Sequence, residues 1–161
     1  MQVIDLLSMN EALTALVGEW EAVLRSLPEA VMADRRNSQH RSIKEIVGHM
    51  VDSATNNTHR IVHLQYQQSP LVFPNYATNG NNDRWIALQH YQQEDWQSLV
   101  SLWKFSVLHI GHVISRVDAG KLENQWIAGP DKRISLGAMI HDFLPHLQLH
   151  LAEIEDLINR K

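Results

Sequence analysis

The chain of 161 residues is 44% hydrophobic, carries 14 Lys and Arg against 18 Asp and Glu for a formal net charge of −4, and contains 10 His and no Cys. Its length suits one domain with its own core, so we expect a single domain over residues 1–161 and, given the acidic balance, no nucleic-acid partner. The absence of Cys excludes disulfides and thiolate sites, so a metal would be bound through imidazole and carboxylate groups.

The N-terminal sequence MQVIDLLSMNEAL has an acid at Asp5 and lacks the basic region and the small-residue cleavage site of a signal peptide. No apolar run in the sequence is long enough to span a membrane. We therefore expect a cytoplasmic protein that does not bind membranes.

Apolar residues at the spacing of an amphipathic helix predict the first two long helices. The first begins at a capping-box pattern, Ser8-Met9-Asn10-Glu11, and is expected to end near Pro28. A polar stretch follows, and a second capping box, Ser42-Ile43-Lys44-Glu45, opens a helix expected to run to about Gln68. The predicted buried face of this second helix consists of Ile43, Ile46, Met50, Ala54 and Ile61.

Two connections separate the remaining helices. Pro, Gly and Asn residues mark 69–83 as a long connecting loop and as the best candidate for a functional loop. A short helical piece is expected from Trp85 to His90, and a third long helix from Trp96 to Val117. Residues 118–134 are predicted to form the second connection, with Ser135 as the N-cap of the last helix.

No segment shows the sustained alternation of apolar and polar residues that predicts half-buried strands. Four long helices with two substantial connecting loops are therefore expected to pack as an all-α four-helix bundle. The sequence shows neither internal repeats nor a domain boundary, so we expect this bundle to use the whole chain.

Spacing along the helices distinguishes the histidines that can converge on one ion. His146 and His150 are one helical turn apart, the spacing by which two imidazoles chelate a metal, although packing or contact with water explains such a pair equally well. His49, on the second long helix, lies at the edge of the apolar face beside a polar stripe that is either a solvated surface or the wall of a pocket. The histidines expected at the surface or in loops are His40, His59, His90, His109, His112 and His141.

Two short elements resemble the DinB/YfiT-like superfamily. The first is Ile46-Val47-Gly48-His49-Met50-Val51-Asp52-Ser53, and the second is His146-Leu147-Gln148-Leu149-His150-Leu151-Ala152-Glu153-Ile154. In that family an early H-x-x-D-S element and a late H-x-x-x-H-L-A-x-I element supply three histidine ligands to a divalent metal. The resemblance therefore implies a bundle of the DinB/YfiT-like type in which His49, His146 and His150 bind the metal.

The resemblance also implies a function, which is either metal-assisted hydrolysis or transfer onto a low-molecular-weight thiol. Because the chain has no Cys, that thiol would have to be a cosubstrate. Zinc and nickel both suit imidazole ligands, and the sequence does not choose between them. A small-molecule substrate and a homodimer are further implications. The alternative from another class is a noncatalytic helical bundle that binds a metal or a ligand, because many folds host unrelated functions.

Polar neighbours of the three histidines are candidates for the remaining roles. Asp52 and Glu153, the candidate catalytic groups, each lie three residues after a predicted ligand, where a carboxylate can orient an imidazole. Glu153 can alternatively act as a general base, and both are alternatively ordinary exposed helix charges. Asn56 and Arg60 are candidates for substrate binding. Pro145 removes a backbone N–H within the last helix and is expected to kink it.

Overall fold

The computed structural model describes residues 5–160, which contain six α-helices and three short strands. The helices are α1 (Leu6–Arg25), α2 (Glu29–Met32), α3 (Ile43–Tyr66), α4 (Asn81–Gln89), α5 (Trp96–Ser115) and α6 (Leu136–Asn159). The strands are β1 (Leu71–Val72), β2 (Gln125–Gly129) and β3 (Lys132–Ser135). None of the described helices has the length and apolarity that a membrane span requires.

The long helices α1, α3, α5 and α6 form the four-helix bundle that the sequence predicts. Helix α5 packs against α1 and α3, and α6 packs against α3. Their apolar stripes meet in one core, in which Trp103 of α5 is fully buried. The predicted buried face of α3 is confirmed, because each of its residues is at most 1% exposed.

Side-chain caps set the starts of the long helices. The predicted capping box of α3 is present: Ser42 Oγ accepts from the Glu45 N–H, and Glu45 Oε2 accepts from the Ser42 N–H at 2.8 Å. Ser135 caps α6 as predicted. The predicted start of α1 is wrong, because its N-cap is Asp5, whose Oδ1 accepts from the Ser8 N–H at 3.1 Å. The Ser8 hydroxyl itself donates to Asp5 at 2.6 Å, one turn inside the helix.

Other element boundaries differ in smaller ways. Helix α2 lies between the predicted end of α1 near Pro28 and the polar stretch predicted from Met32 to His40, and α4 begins at Asn81 rather than near Trp85. Gly80 adopts a left-handed conformation with a φ of 72°, which turns the chain into α4 at this earlier position. Helices α3 and α5 end close to their predicted ends, at Tyr66 and Ser115.

The small sheet is the main departure from the predicted all-helical chain. Strand β2 pairs parallel with β1 and antiparallel with β3, so both predicted connections contribute strands. Elements of two to five residues are too short to produce the sustained alternation by which strands are recognised in a sequence. The sheet brings β2, with its buried Trp126, against α3.

Gly48 allows the ring of Tyr91 to lie directly against α3. A Cβ atom at Gly48 would lie 2.2 Å from Cδ2 of Tyr91, far inside van der Waals contact. Tyr91 is 3% exposed, and its hydroxyl donates to Oδ1 of Asp52 on the same helix at 2.6 Å. The absence of a side chain at position 48 thus permits both the ring packing and this hydrogen bond.

We expect Gly48→Ala to lower the free energy of unfolding by about 1–3 kcal/mol, because the added methyl group displaces a buried aromatic ring. Urea denaturation measures the change. The matched control is Gly18→Ala in α1, where a Cβ meets nothing within 4 Å. That variant is expected to be about 0.5–1 kcal/mol more stable than the wild type, since alanine favours the helix. Equal gains in both variants would contradict the close packing of Tyr91.

Candidate metal centre

Three histidines from two helices form the cluster at the centre of the site. His49 comes from α3, and His146 and His150 come from successive turns of α6. One ligand nitrogen from each ring lies within 4.8 Å of those of the other two. The Nε2 atoms of His146 and His150 are 3.1 Å apart, and the ring centroids of His49 and His150 are 4.8 Å apart. The structure therefore brings together the three residues that the sequence selects.

Burial keeps this cluster in the form that binds metals. His49 and His150 are buried and His146 is partly buried. Burial, with a smaller contribution from the neighbouring imidazole of His150, lowers the pKa of His49 to about 3 and that of His146 to about 4. Both rings are consequently neutral near neutral pH, and a neutral imidazole has a lone pair for a metal ion.

Hydrogen bonds orient the two histidines of α6. Nδ1 of His150 lies 3.1 Å from Oε2 of Glu153, and Asn37 Nδ2 donates to the same carboxylate oxygen at 3.3 Å. An ionised carboxylate only accepts, so Nδ1 of His150 donates to Glu153, and Nε2 of the same ring lies on the side of His146. Nδ1 of His146 lies 3.3 Å from Oγ of Ser53 on α3. Glu153 thus has the contact expected of an orienting carboxylate.

Asp52 does not orient His49, although the sequence suggests it as a candidate for that role. Its Oδ1 accepts from Nε2 of Gln89 and from the Tyr91 hydroxyl, both at 2.6 Å. Nδ1 of His49 is buried and has no hydrogen-bond partner among the described residues. Residues three positions apart on a helix point about 60° away from each other, and here the carboxylate turns toward Tyr91. Burial raises the pKa of Asp52.

The two candidate substrate-binding residues have different surroundings. Asn56 is buried, and its Nδ2 donates to the backbone carbonyl of Asp52 at 2.9 Å. Its neighbour Asn57, rather than Asn56, lines a cavity beside the histidine cluster. Arg60 lines this cavity as well. The structure thus gives Asn56 a contact within its own helix and places Arg60 beside the cavity.

The cavity next to the cluster has a volume of about 220 Å³ and opens to solvent. Its wall combines side chains from α3, α6, β2, β3 and the loop before α4. They are Ser53, Asn57, Arg60, Tyr76, Ala77, Trp126, Ile134, Met139, Asp142, Phe143 and His146. Because His146 belongs to this wall, a small molecule in the cavity would lie next to the histidine cluster.

The remaining histidine predictions agree with the structure. The six histidines expected at the surface or in loops are all exposed: His40, His59, His90, His109, His112 and His141. Helix α6 continues through Pro145, and His146 still reaches His150. The helical turn that joins the two α6 histidines is therefore intact.

Sequence reasoning missed several contributors to the site. Ser53 belongs to the H-x-x-D-S element, so its contact with His146 had a signal in the sequence. Tyr76 belongs to the loop 69–83 that the sequence marks as functional, although nothing singled out this residue. Asn37 and Trp126 had no signal, because they come from connecting segments far away in the chain. Only the packing of these segments against α3 and α6 brings them to the site.

Comparisons with known proteins agree with this architecture. The model of the DinB superfamily matches residues 12–154. Among solved structures, YfiT from Bacillus subtilis has a TM-score of 0.81 and 14% identity, with 98% of this chain and 89% of that chain covered. That protein is described as a probable metal-dependent hydrolase with an unusual four-helix bundle topology. No curated protein matches this chain.

We expect the metal-free protein to lose stability as the pH falls from about 6.5 to about 4. In this range the unfolded histidines bind protons while folded His49 and His146 stay neutral. The unfolded state therefore binds up to two more protons, and the slope approaches about 2.7 kcal/mol per pH unit. Urea denaturation with a chelator present, repeated at several pH values, measures it.

The control variants for this pH dependence are His49→Gln and His112→Gln. Replacing buried His49 is expected to reduce the slope by about 1.4 kcal/mol per pH unit, the contribution of one proton. Replacing His112, which is exposed, should leave the slope unchanged. A slope that does not respond to His49→Gln would show that this ring is not held neutral in the folded protein.

Proposed function

Because this chain belongs to the DinB superfamily, we propose that its histidine cluster binds a divalent metal ion and that the protein is a metal-dependent hydrolase. The observation that carries the proposal is the convergence of His49, His146 and His150, with one nitrogen of each within 4.8 Å of the others. The description of YfiT as a probable metal-dependent hydrolase supports the same reaction class.

The donor set fits a catalytic metal. Three imidazole nitrogens leave at least one coordination position for water or substrate, which distinguishes catalytic sites from closed structural ones. Imidazole suits zinc and nickel, and both remain in the proposal. The proton on Nδ1 of His150, held by Glu153, leaves Nε2 facing the cluster. The protein therefore presents three converging nitrogen donors, two of them on rings that hydrogen bonds orient.

A bound divalent ion would supply a Lewis acid that polarises a carbonyl group and lowers the pKa of a bound water. The chain itself contributes position and orientation. Glu153 orients His150, and Ser53 contacts His146. A substrate in the adjoining cavity would lie beside His146. The contacts of Glu153 with both His150 and Asn37 favour the orienting role over the role of general base.

Transfer onto a low-molecular-weight thiol is the second candidate reaction. The absence of Cys from the chain means that the sulfur nucleophile would come from a cosubstrate, for which the solvent-open cavity beside His146 offers a place. Turnover that requires an added thiol would favour this reaction over hydrolysis. A metal-loaded protein that turns over neither class of substrate would favour the noncatalytic bundle. The homodimer and the cytoplasmic location stay predictions.

Metal content tests the proposal directly. Protein purified without a His-tag is expected to contain about one divalent ion per chain, and the His146→Ala/His150→Ala variant is expected to contain less than about a tenth of that amount. Elemental analysis measures both. His109→Ala/His112→Ala, which changes two exposed histidines of α5, should keep the wild-type content.

Comparison of the wild type with a His49→Ala variant tests the reaction class. Metal-dependent hydrolysis of ester or amide substrates should be present in the wild type and lost in His49→Ala. Equally negligible metal in the wild type and in His146→Ala/His150→Ala would refute the metal site. Full metal content without hydrolysis would refute the assignment as a metal-dependent hydrolase.

Glu153→Gln is expected to weaken metal affinity by about 10–100-fold, because loss of the carboxylate charge weakens the hydrogen bond that orients His150. Competition with a chelator of known affinity measures the change. Glu155→Gln is the matched control, since this residue is exposed on the same helix. Unchanged affinity in Glu153→Gln would mean that the contact with His150 has no part in metal binding.

A further inference from the structure

Arg60 of α3 places a guanidinium group in a buried aromatic setting. The residue is 4% exposed, and its Cζ lies 4.1 Å from the ring centroid of Trp126 and 5.5 Å from those of Phe73 and Tyr76. Aromatic rings attract a cation through their quadrupoles, but they carry no net charge that would neutralise it. Burial lowers the pKa of Arg60, although an arginine side chain stays protonated in proteins.

Hydrogen bonds satisfy part of this guanidinium group. Nη1 donates to Oδ1 of Asn57 at 3.2 Å, and Nη2 donates to the carbonyl oxygen of Pro74 at 3.3 Å. Nε is buried and has no hydrogen-bond partner in the described part of the chain. Across residues 5–160, no Asp or Glu lies within ion-pairing distance of Arg60. A buried cation without a carboxylate partner is costly, and an anion from solution would reduce that cost.

Arg60 lines the same cavity as His146. One carboxylate, that of Asp142, also belongs to the wall, but its side chain is 82% exposed and lies 3.5 Å from His141. Asp142 is therefore solvated rather than paired with Arg60. Among the described residues that line the cavity, Arg60 is the one Lys or Arg, and it is buried.

We propose that Arg60 binds a carboxylate group of the substrate, so that the site acts on small carboxylate-bearing molecules. This inference rests on the proposed function, because Arg60 and His146 share one cavity. A carboxylate is planar, carries one charge against the single charge of Arg60, and accepts the hydrogen bond that Nε lacks. The Cζ atom of Arg60 lies over the Trp126 ring, so that ring covers one side of the guanidinium group.

Three probes test this assignment on the full chain, both as purified and after treatment with a chelator. They are N-acetylglycine, its neutral amide N-acetylglycinamide, and inorganic phosphate. The nitrogen–proton NMR resonance of the arginine Nε–H groups reports binding. We expect N-acetylglycine to bind about tenfold or more tightly than the amide, as is typical of a hydrogen bond to a charged group, and to shift one buried arginine resonance.

Variants assign the effect to Arg60. Arg60→Gln should lose the preference for the acid over the amide, Arg60→Lys should retain part of it, and Arg84→Gln, at an exposed position of α4, should leave it unchanged. Equal binding of acid and amide to the wild type would overturn the proposal, as would tighter binding of phosphate than of N-acetylglycine. The wild-type titration decides the question even where Arg60→Gln fails to fold.

Metal analysis separates this proposal from the proposed function. Arg60→Lys is expected to keep the metal content of the wild type, because among the described residues Arg60 makes no direct hydrogen bond to a histidine of the cluster and is linked to His146 only through Asn57 and Ser53. Acid selectivity in wild-type protein that contains no metal as purified would refute the metal enzyme and support the carboxylate site. Normal metal content without acid selectivity would refute the carboxylate site alone.

Discussion

His49 and His150 lose almost all contact with solvent where α3 packs against α6, with 4% and 6% of their surfaces exposed. Burial lowers the pKa values of His49 and His146, so these two rings lie close together without like-charge repulsion. The Nε2 atoms of His146 and His150 are 3.1 Å apart. The site thus depends on the packing of two helices, which gives the three histidines their geometry and keeps His49 and His146 neutral.

The two carboxylates that follow the histidines serve different parts of the structure. Glu153 contacts the imidazole cluster through His150 and connects it to Asn37, in the segment before α3. Asp52 instead accepts from Tyr91, whose ring lies against Gly48. One carboxylate orients a histidine, while the other joins the segment after α4 to α3. Identical sequence spacing therefore leads to different roles, because different elements cover the two helices.

Charge is unevenly distributed around the cavity. His146 on one side is neutral near neutral pH. Arg60 on another side carries a buried positive charge, and its Cζ atom lies over the ring of Trp126. Tyr76, from the loop before α4, lies near both His49 and Arg60. Its ring centroid is 6.2 Å from that of His49 and 5.5 Å from Cζ of Arg60. The connecting segments thus supply Tyr76 and Trp126 to the wall, and the helices supply Phe143, the nitrogen donors and the cation.

Local sequence patterns determined the long helices, the caps at Ser42 and Ser135, and the choice of His49, His146 and His150 from 10 histidines. These features follow from helical periodicity, from hydrogen bonds between near neighbours, and from two short elements that resemble a family. Tertiary structure decided the small sheet, the partners of Asp52 and the aromatic surroundings of Arg60. Each of these requires contact between segments distant in the chain, and such contacts depend on how whole elements pack rather than on any local pattern.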